Sequence, residues 1–137
     1  GRVPLPEEML DAFFSQERVY NLGFRKDVEK CFAAMDIFLF PSYREGFGNV
    51  SIEASAMEIP VITYDVTGCK DAVQNDVSGF IVPFRDYNAA ESRLKELCDN
   101  ENLRFRLGRQ GRQRVMEYFT NKIVANNFID IVHEATE

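Results

Sequence analysis

The chain has 137 residues, 22 of them acidic against 16 basic, for a net charge of −6. That length suits one domain able to bury roughly 68% of its unfolded surface, and the acidic balance disfavours nucleic acid, whose phosphates ask for a surplus of Lys and Arg. Its apolar runs, such as Ile37 to Phe40, fall far short of the roughly 20 residues that span a bilayer, and Cys31, Cys69 and Cys98, with the single His133, suggest neither a disulfide framework nor a zinc site.

The first residues, Gly1-Arg2-Val3-Pro4-Leu5-Pro6, carry no basic region leading into an apolar stretch of signal-peptide length, so reduced thiols in a cytoplasmic protein are expected. Residues Glu7 to Ser15 place Met9, Leu10, Phe13 and Phe14 at helical spacing, and Val19 to Phe24 reads as a strand closing on Gly23. Asp27 to Met35 is predicted helical, with Val28, Cys31, Phe32 and Met35 recurring on one face, and the strand Asp36 to Phe40 follows. A glycine-bearing turn then leads into a helix from Asn49 to Met57. Pro60 introduces the strand Val61 to Tyr64, and a brief helix around Lys70 to Val73 precedes the strand Gly79 to Val82. Helices from Asp86 to Cys98, Leu103 to about Tyr118 and Lys122 to about Ala135 complete the chain.

The strands are nearly continuous apolar runs separated by helical patterns. The expected fold class is therefore α/β, a doubly wound parallel sheet with helices on both faces. Arg104, Arg106, Arg109, Arg112 and Arg114 spread around their helix at roughly 100° per residue, and a solvated face is expected for them.

Chemistry concentrates between Pro41 and Glu53. Gly46-Phe47-Gly48-Asn49-Val50-Ser51 matches the dinucleotide fingerprint except at its last position. The fingerprint fails on context, because Ser42 to Glu45 part the strand from Gly46 and Asp65 falls nearer than the usual acidic residue about 20 positions on. The physical content of the turn remains. Glycines let backbone approach a ligand closely, and the amides of Asn49, Val50 and Ser51 at a helix start are donors for an anion. A carboxylate beside a phosphate would be repelled, so Glu45 and Glu53 are expected to accept hydrogen bonds from sugar hydroxyls. Phosphate on amides and hydroxyls on carboxylates together suit a sugar nucleotide. The competing explanation is that Glu53 closes a capping interaction in its helix while Glu45 is a solvated loop charge.

Asn21-Leu22-Gly23-Phe24, Asp36 to Gly48, Ile52-Glu53-Ala54 and Pro60-Val61-Ile62 closely resemble the carboxyl-terminal half of the family 4 retaining glycosyltransferases with the GT-B fold, a Rossmann-like donor domain. The resemblance runs from about Arg18 to Tyr118 and includes Thr67-Gly68, Asp71-Ala72-Val73 and Gly79 to Pro83. It implies transfer of a sugar from a UDP- or GDP-sugar to a glycan or glycolipid with retained configuration, the leaving diphosphate being stabilised electrostatically without a metal. By likeness, Glu45 would bind the transferred sugar near its reacting carbon and Glu53 the ribose diol. Gly46, Phe47, Gly48, Asn49 and Val50 would offer amides to sugar hydroxyls and diphosphate, and Phe24 and Arg25 fall where the family contacts the base.

The chain departs from the family's pattern in two places. Glu58, in Met57-Glu58-Ile59-Pro60, stands where relatives usually place glycine; if left-handed, it costs about 1 kcal/mol. Relatives also carry an earlier strand with a Gly-Arg pair and a lysine that clamp the diphosphate, a role not expected of Arg2 beside Pro4 and Pro6. The expectation is thus a partial, amino-terminally truncated donor domain over residues 1–137, with an exposed sheet edge. Residues 122–137 would cross toward a missing amino-terminal acceptor domain or pack on their own sheet, and the parent enzyme could be peripheral to a membrane. Another possibility is a noncatalytic nucleotide- or partner-binding α/β module. A phosphorylation receiver is disfavoured because Phe40-Pro41 occupies the strand end where its aspartate should stand.

Overall fold

The computed structural model describes residues 6–123. Its elements run α1 (Glu7–Phe14), α2 (Val28–Ala33), β1 (Phe38–Phe40), α3 (Asn49–Ala56), β2 (Val61–Tyr64), α4 (Cys69–Ala72), β3 (Gly79–Val82), α5 (Tyr87–Asp99) and α6 (Glu101–Tyr118). Most of the expected helix from Lys122 to about Ala135, and His133 with it, lies outside the described residues. No helix among the described residues is long and apolar enough to cross a membrane.

The three strands form a parallel sheet in the order β1-β2-β3, with Phe38 opposite Val61 and Val61 opposite Gly79. Alternate residues of β2 feed two cores, as expected of a sheet covered on both faces. Val61 joins Phe32, Ala54, Ile59, Ala72 and Val73 beneath α2, α3 and α4. Ile62 and Tyr64 join Phe80, Val82, Leu97 and Leu107 beneath α5 and α6. The helix ends follow local rules. Asp86 accepts from the Ala89 amide at 2.9 Å to open α5, and Asn100 accepts from the Leu103 amide at 2.9 Å to open α6.

Val19 to Phe24 is not a strand. Asn21 Oδ1 accepts from the Gly23 amide at 2.9 Å while Gly23 takes φ +59°, a side-chain-closed turn. Tyr20, Leu22 and Phe24 are exposed, so no core competes with that turn.

The arginines of α6 are not simply a solvated face. Arg104 donates to the carbonyls of Leu97 at 2.6 Å and Cys98 at 3.0 Å near the end of α5. Arg112 donates to the Ala56 carbonyl at the end of α3 at 3.1 Å, and Arg114 to the Asp71 carbonyl of α4 at 3.2 Å. Each guanidinium meets carbonyls left free near a helix terminus, where the helix dipole also favours a cation.

The Glu58 backbone is left-handed, φ +61°. α6 crosses directly over it, since a Cβ on Gly108 would collide with the Glu58 carbonyl oxygen. The Glu58 carboxylate gains only an exposed pair with Arg112 at 3.8 Å, of small value. Glu58→Gly is expected to stabilise the fold by about 1 kcal/mol, raising the melting temperature by about 4 °C. A thermal midpoint unchanged or lowered in Glu58→Gly would contradict that account.

Candidate functional site

In a parallel sheet the carboxyl ends of all strands share one edge, so the segment after β1 meets the segment after β2 there. Two glycines allow the meeting. Gly48 is buried with φ +68°, and a Cβ on it would stand 2.8 Å from the Gly68 carbonyl oxygen. Gly68, at φ +86°, would bring a Cβ within 2.6 Å of the Glu45 carbonyl oxygen. Neither position tolerates a side chain, and both favour the residue type that adopts positive φ freely. Gly46 differs, because a Cβ there would meet open space.

The turn ends in the first residues of α3. Ser51 and Ile52 donate to the Gly48 carbonyl at 2.9 Å and 3.3 Å, so the Ser51 amide, expected free, is already engaged. Among the described residues no acceptor takes the backbone amides of Gly46, Phe47, Gly48, Asn49 or Val50. These donors, beside the positive end of a helix, are suited to an anion.

Glu45 is half-buried, and its Oε1 accepts from Ser42 Oγ at 2.7 Å. It lines an open cleft of about 870 Å³ with Tyr43, Arg44, Gly46, Asp65, Val66, Thr67 and Lys70. Glu53, one turn into α3, is exposed and lies elsewhere. It edges an apolar groove of about 240 Å³ between α2 and α3, lined by Val28, Phe32, Ala56 and Met57. The two carboxylates therefore line different hollows, with the turn's amides between them in sequence. Among the described residues no group of His, Cys, Asp or Glu is arranged to hold a metal ion.

Of the remaining expected residues, Phe47 is half exposed and its ring meets Phe119 edge-on at 5.8 Å, while Asn49 opens α3 in contact with solvent. Val50 is half-buried. Phe24 is 90% exposed. Arg25 forms a fork with Asp27, Nε to Oδ1 at 2.9 Å and NH2 to Oδ2 at 2.8 Å, which holds the Asp27 carboxyl below its ordinary value. Its guanidinium is thus engaged at the start of α2. Thr67 and Lys70, which line the cleft, and Ser42, which donates to Glu45, were not singled out from sequence for those places. Their signal was position, at the carboxyl ends of β1 and β2. Lys70 Nζ approaches Asp65 Oδ1 at 3.6 Å, placing a cation in the cleft that Glu45 lines.

Behind the turn, Cys69 is buried directly after Gly68. Burial raises its thiol pKa; a hydrogen bond with Thr63 opposes the rise, and the Glu45 carboxylate adds to it.

The family model for glycosyl transferases group 1 matches residues 6–114, and the chain belongs to that family. It is similar to the capsular polysaccharide biosynthesis glycosyltransferase CapM of Staphylococcus aureus, 49% identical over 90 residues, covering 66% of this chain and 24% of that protein. Its fold matches sucrose-phosphate synthase from Thermosynechococcus elongatus with a TM-score of 0.82 at 27% identity, covering 95% of this chain and 33% of the synthase. The fold also matches Anabaena HepE, whose structure is a complex with UDP and glucose, with a TM-score of 0.83 at 19% identity, over 93% of this chain and 35% of HepE. The architecture is that of a GT-B glycosyltransferase domain. The chain spans about a third or less of the length of these proteins.

Because the folded state keeps the Cys69 proton longer than the unfolded chain does, the thiol's contribution to stability is whole below the ordinary thiol value and is lost as pH rises beyond it. Denaturant midpoints measured from about pH 7 to 10 should therefore fall more steeply in the wild-type chain than in Cys69→Ala above about pH 8.5. Parallel slopes for the two proteins would contradict this.

Proposed function

We propose that this chain is the donor-binding part of a retaining, hexosyltransferase-type glycosyltransferase that transfers a sugar from a UDP- or GDP-sugar to a glycan or glycolipid acceptor. The observation that carries the reading is the turn at the strand edge, with the free amides of Gly46 to Val50 beside the half-buried carboxylate of Glu45. Membership in the glycosyltransferase family and likeness to CapM, a capsular polysaccharide enzyme, support the reaction class. The fold's likeness to HepE, solved with UDP and glucose, supports a nucleotide sugar as ligand.

In this reading the diphosphate rests on the amides of Gly48, Asn49 and Val50, where the start of α3 offers positive potential to the charge that develops on the leaving group. That stabilisation comes from backbone dipoles and asks for no metal ligands from this chain. Glu45, oriented by Ser42, accepts hydroxyls of the transferred sugar and is the residue assigned to the reacting centre. Gly46 and Phe47 offer further amides to that sugar. Glu53 accepts the ribose diol from the other side of the turn, and Phe24 flanks the base; Arg25 reaches the base only by releasing Asp27. Because the chain spans 24% of CapM, the full activity is proposed for the protein in which residues 1–137 belong to the nucleotide-sugar domain beside an acceptor-binding half. The chain alone would then bind without transferring. We place the parent in the cytoplasm, peripheral to a membrane where the acceptor is a glycolipid.

The separation of Glu53 from the cleft of Glu45 favours one alternative, a module that binds nucleotide or a partner and catalyses nothing. The parent enzyme distinguishes them. Glu45→Gln and Glu53→Gln should each lower kcat/KM for the sugar nucleotide by at least about 30-fold, about 2 kcal/mol for a lost charged hydrogen bond. Unaltered turnover in the double variant would rule out the assigned roles.

A further inference from the structure

The donor turn is held by an aromatic contact that the sugar-nucleotide reading does not use. Phe47 stands between Gly46, which has open space at its Cβ position, and Gly48. A residue flanked by two glycines is poorly fixed by its own backbone. Among the described residues its ring pairs with one other aromatic ring, that of Phe119, edge-on at 5.8 Å with the rings at 73°. Phe119 is in turn fixed by Arg114, whose guanidinium lies 5.3 Å from the centroids of both Phe119 and Tyr118. The same guanidinium donates to the Asp71 carbonyl of α4 at 3.2 Å. α4 begins next to Gly68, the glycine pressed on the backbone of Glu45 and Gly46. The end of α6 therefore grips the turn twice, through α4 beneath it and through Phe119 at its tip.

Core packing does not account for this arrangement. Phe47 is 47% exposed and Phe119 is half-buried, and neither belongs to the two core clusters. An edge-on aromatic pair with a stacked cation supplies direction rather than bulk burial.

We propose that Phe119, carried by Arg114, is a positioning residue that holds Phe47 and so fixes the amides of Gly46 and Gly48 in the conformation that receives the nucleotide sugar. The inference rests on the donor reading for its ligand but not for the contact itself. Two measurements on the chain separate these. In the free protein, Phe119→Ala should move the backbone amide resonances of Gly46 and Gly48, and Phe119→Tyr, which keeps the ring, should leave them near wild type. Calorimetry with UDP should show Phe119→Ala binding weaker by about 5-fold, the loss expected when a loop must be ordered on binding, with Phe119→Tyr restoring affinity. Met116, exposed on the same helix, supplies the control: Met116→Ala should change neither quantity. The proposal is overturned if Phe119→Ala leaves the Gly46 and Gly48 resonances in place, or if Met116→Ala moves them equally. Should the wild-type chain bind no UDP, the donor reading of the isolated chain falls, and the resonances alone still decide the coupling.

Discussion

Between Gly48 and Gly68 the chain leaves no room for a side chain, and the arrangement of the sheet edge depends on that. Parallel pairing sets Phe40 opposite Thr63, and the Thr63 hydroxyl donates to the Phe40 carbonyl at 2.9 Å, so the ends of β1 and β2 are level. The two following loops must then pass each other within one layer. They do so backbone against backbone, which presses the peptide of Glu45 and Gly46 onto Gly68. Substitution at either glycine would push the loops apart and displace the Glu45 backbone. The cost would come from both a clash and an unfavourable φ.

α6 maintains this arrangement from behind. Its glycines let it lie close to α3, with Gly111 against Ser55 and Gly108 against the Glu58 backbone, while its arginines reach out to carbonyls of α3, α4 and α5. A basic helix in an acidic chain invites an anionic partner. Here three of its guanidinium groups are committed to the backbone of its neighbours, converting separate helices into one support for the sheet edge.

Much of the fold was legible because β2 and β3 are short apolar runs, largely buried, and the helices after them, α5 and α6, open on the capping residues Asp86 and Asn100. The resemblance to glycosyltransferases rested chiefly on Asn21 to Phe24, Asp36 to Gly48, Ile52 to Ala54 and Pro60 to Ile62, and the family and fold agree with it. The strand expected at Val19 to Phe24 failed because strand-forming residues need a partner ladder, a property of the whole sheet, whereas the turn at Asn21 and Gly23 closes locally. In the site, glycine spacing located the turn and the placement of Glu45. It did not locate the direction of Glu53, which depends on how α2 packs beside α3, nor the Arg25 fork, which depends on a side-chain rotamer near Asp27. The arginines of α6 could not be assigned from periodicity, because their partners are carbonyls of other helices.

The central claim is that the free amides opening α3 receive a diphosphate. Titrating the isotope-labelled chain with UDP, and following every backbone amide, tests it most directly. The account predicts saturable shifts concentrated at Gly46, Phe47, Gly48, Asn49 and Val50. Saturable shifts elsewhere that leave those five amides unmoved would contradict it.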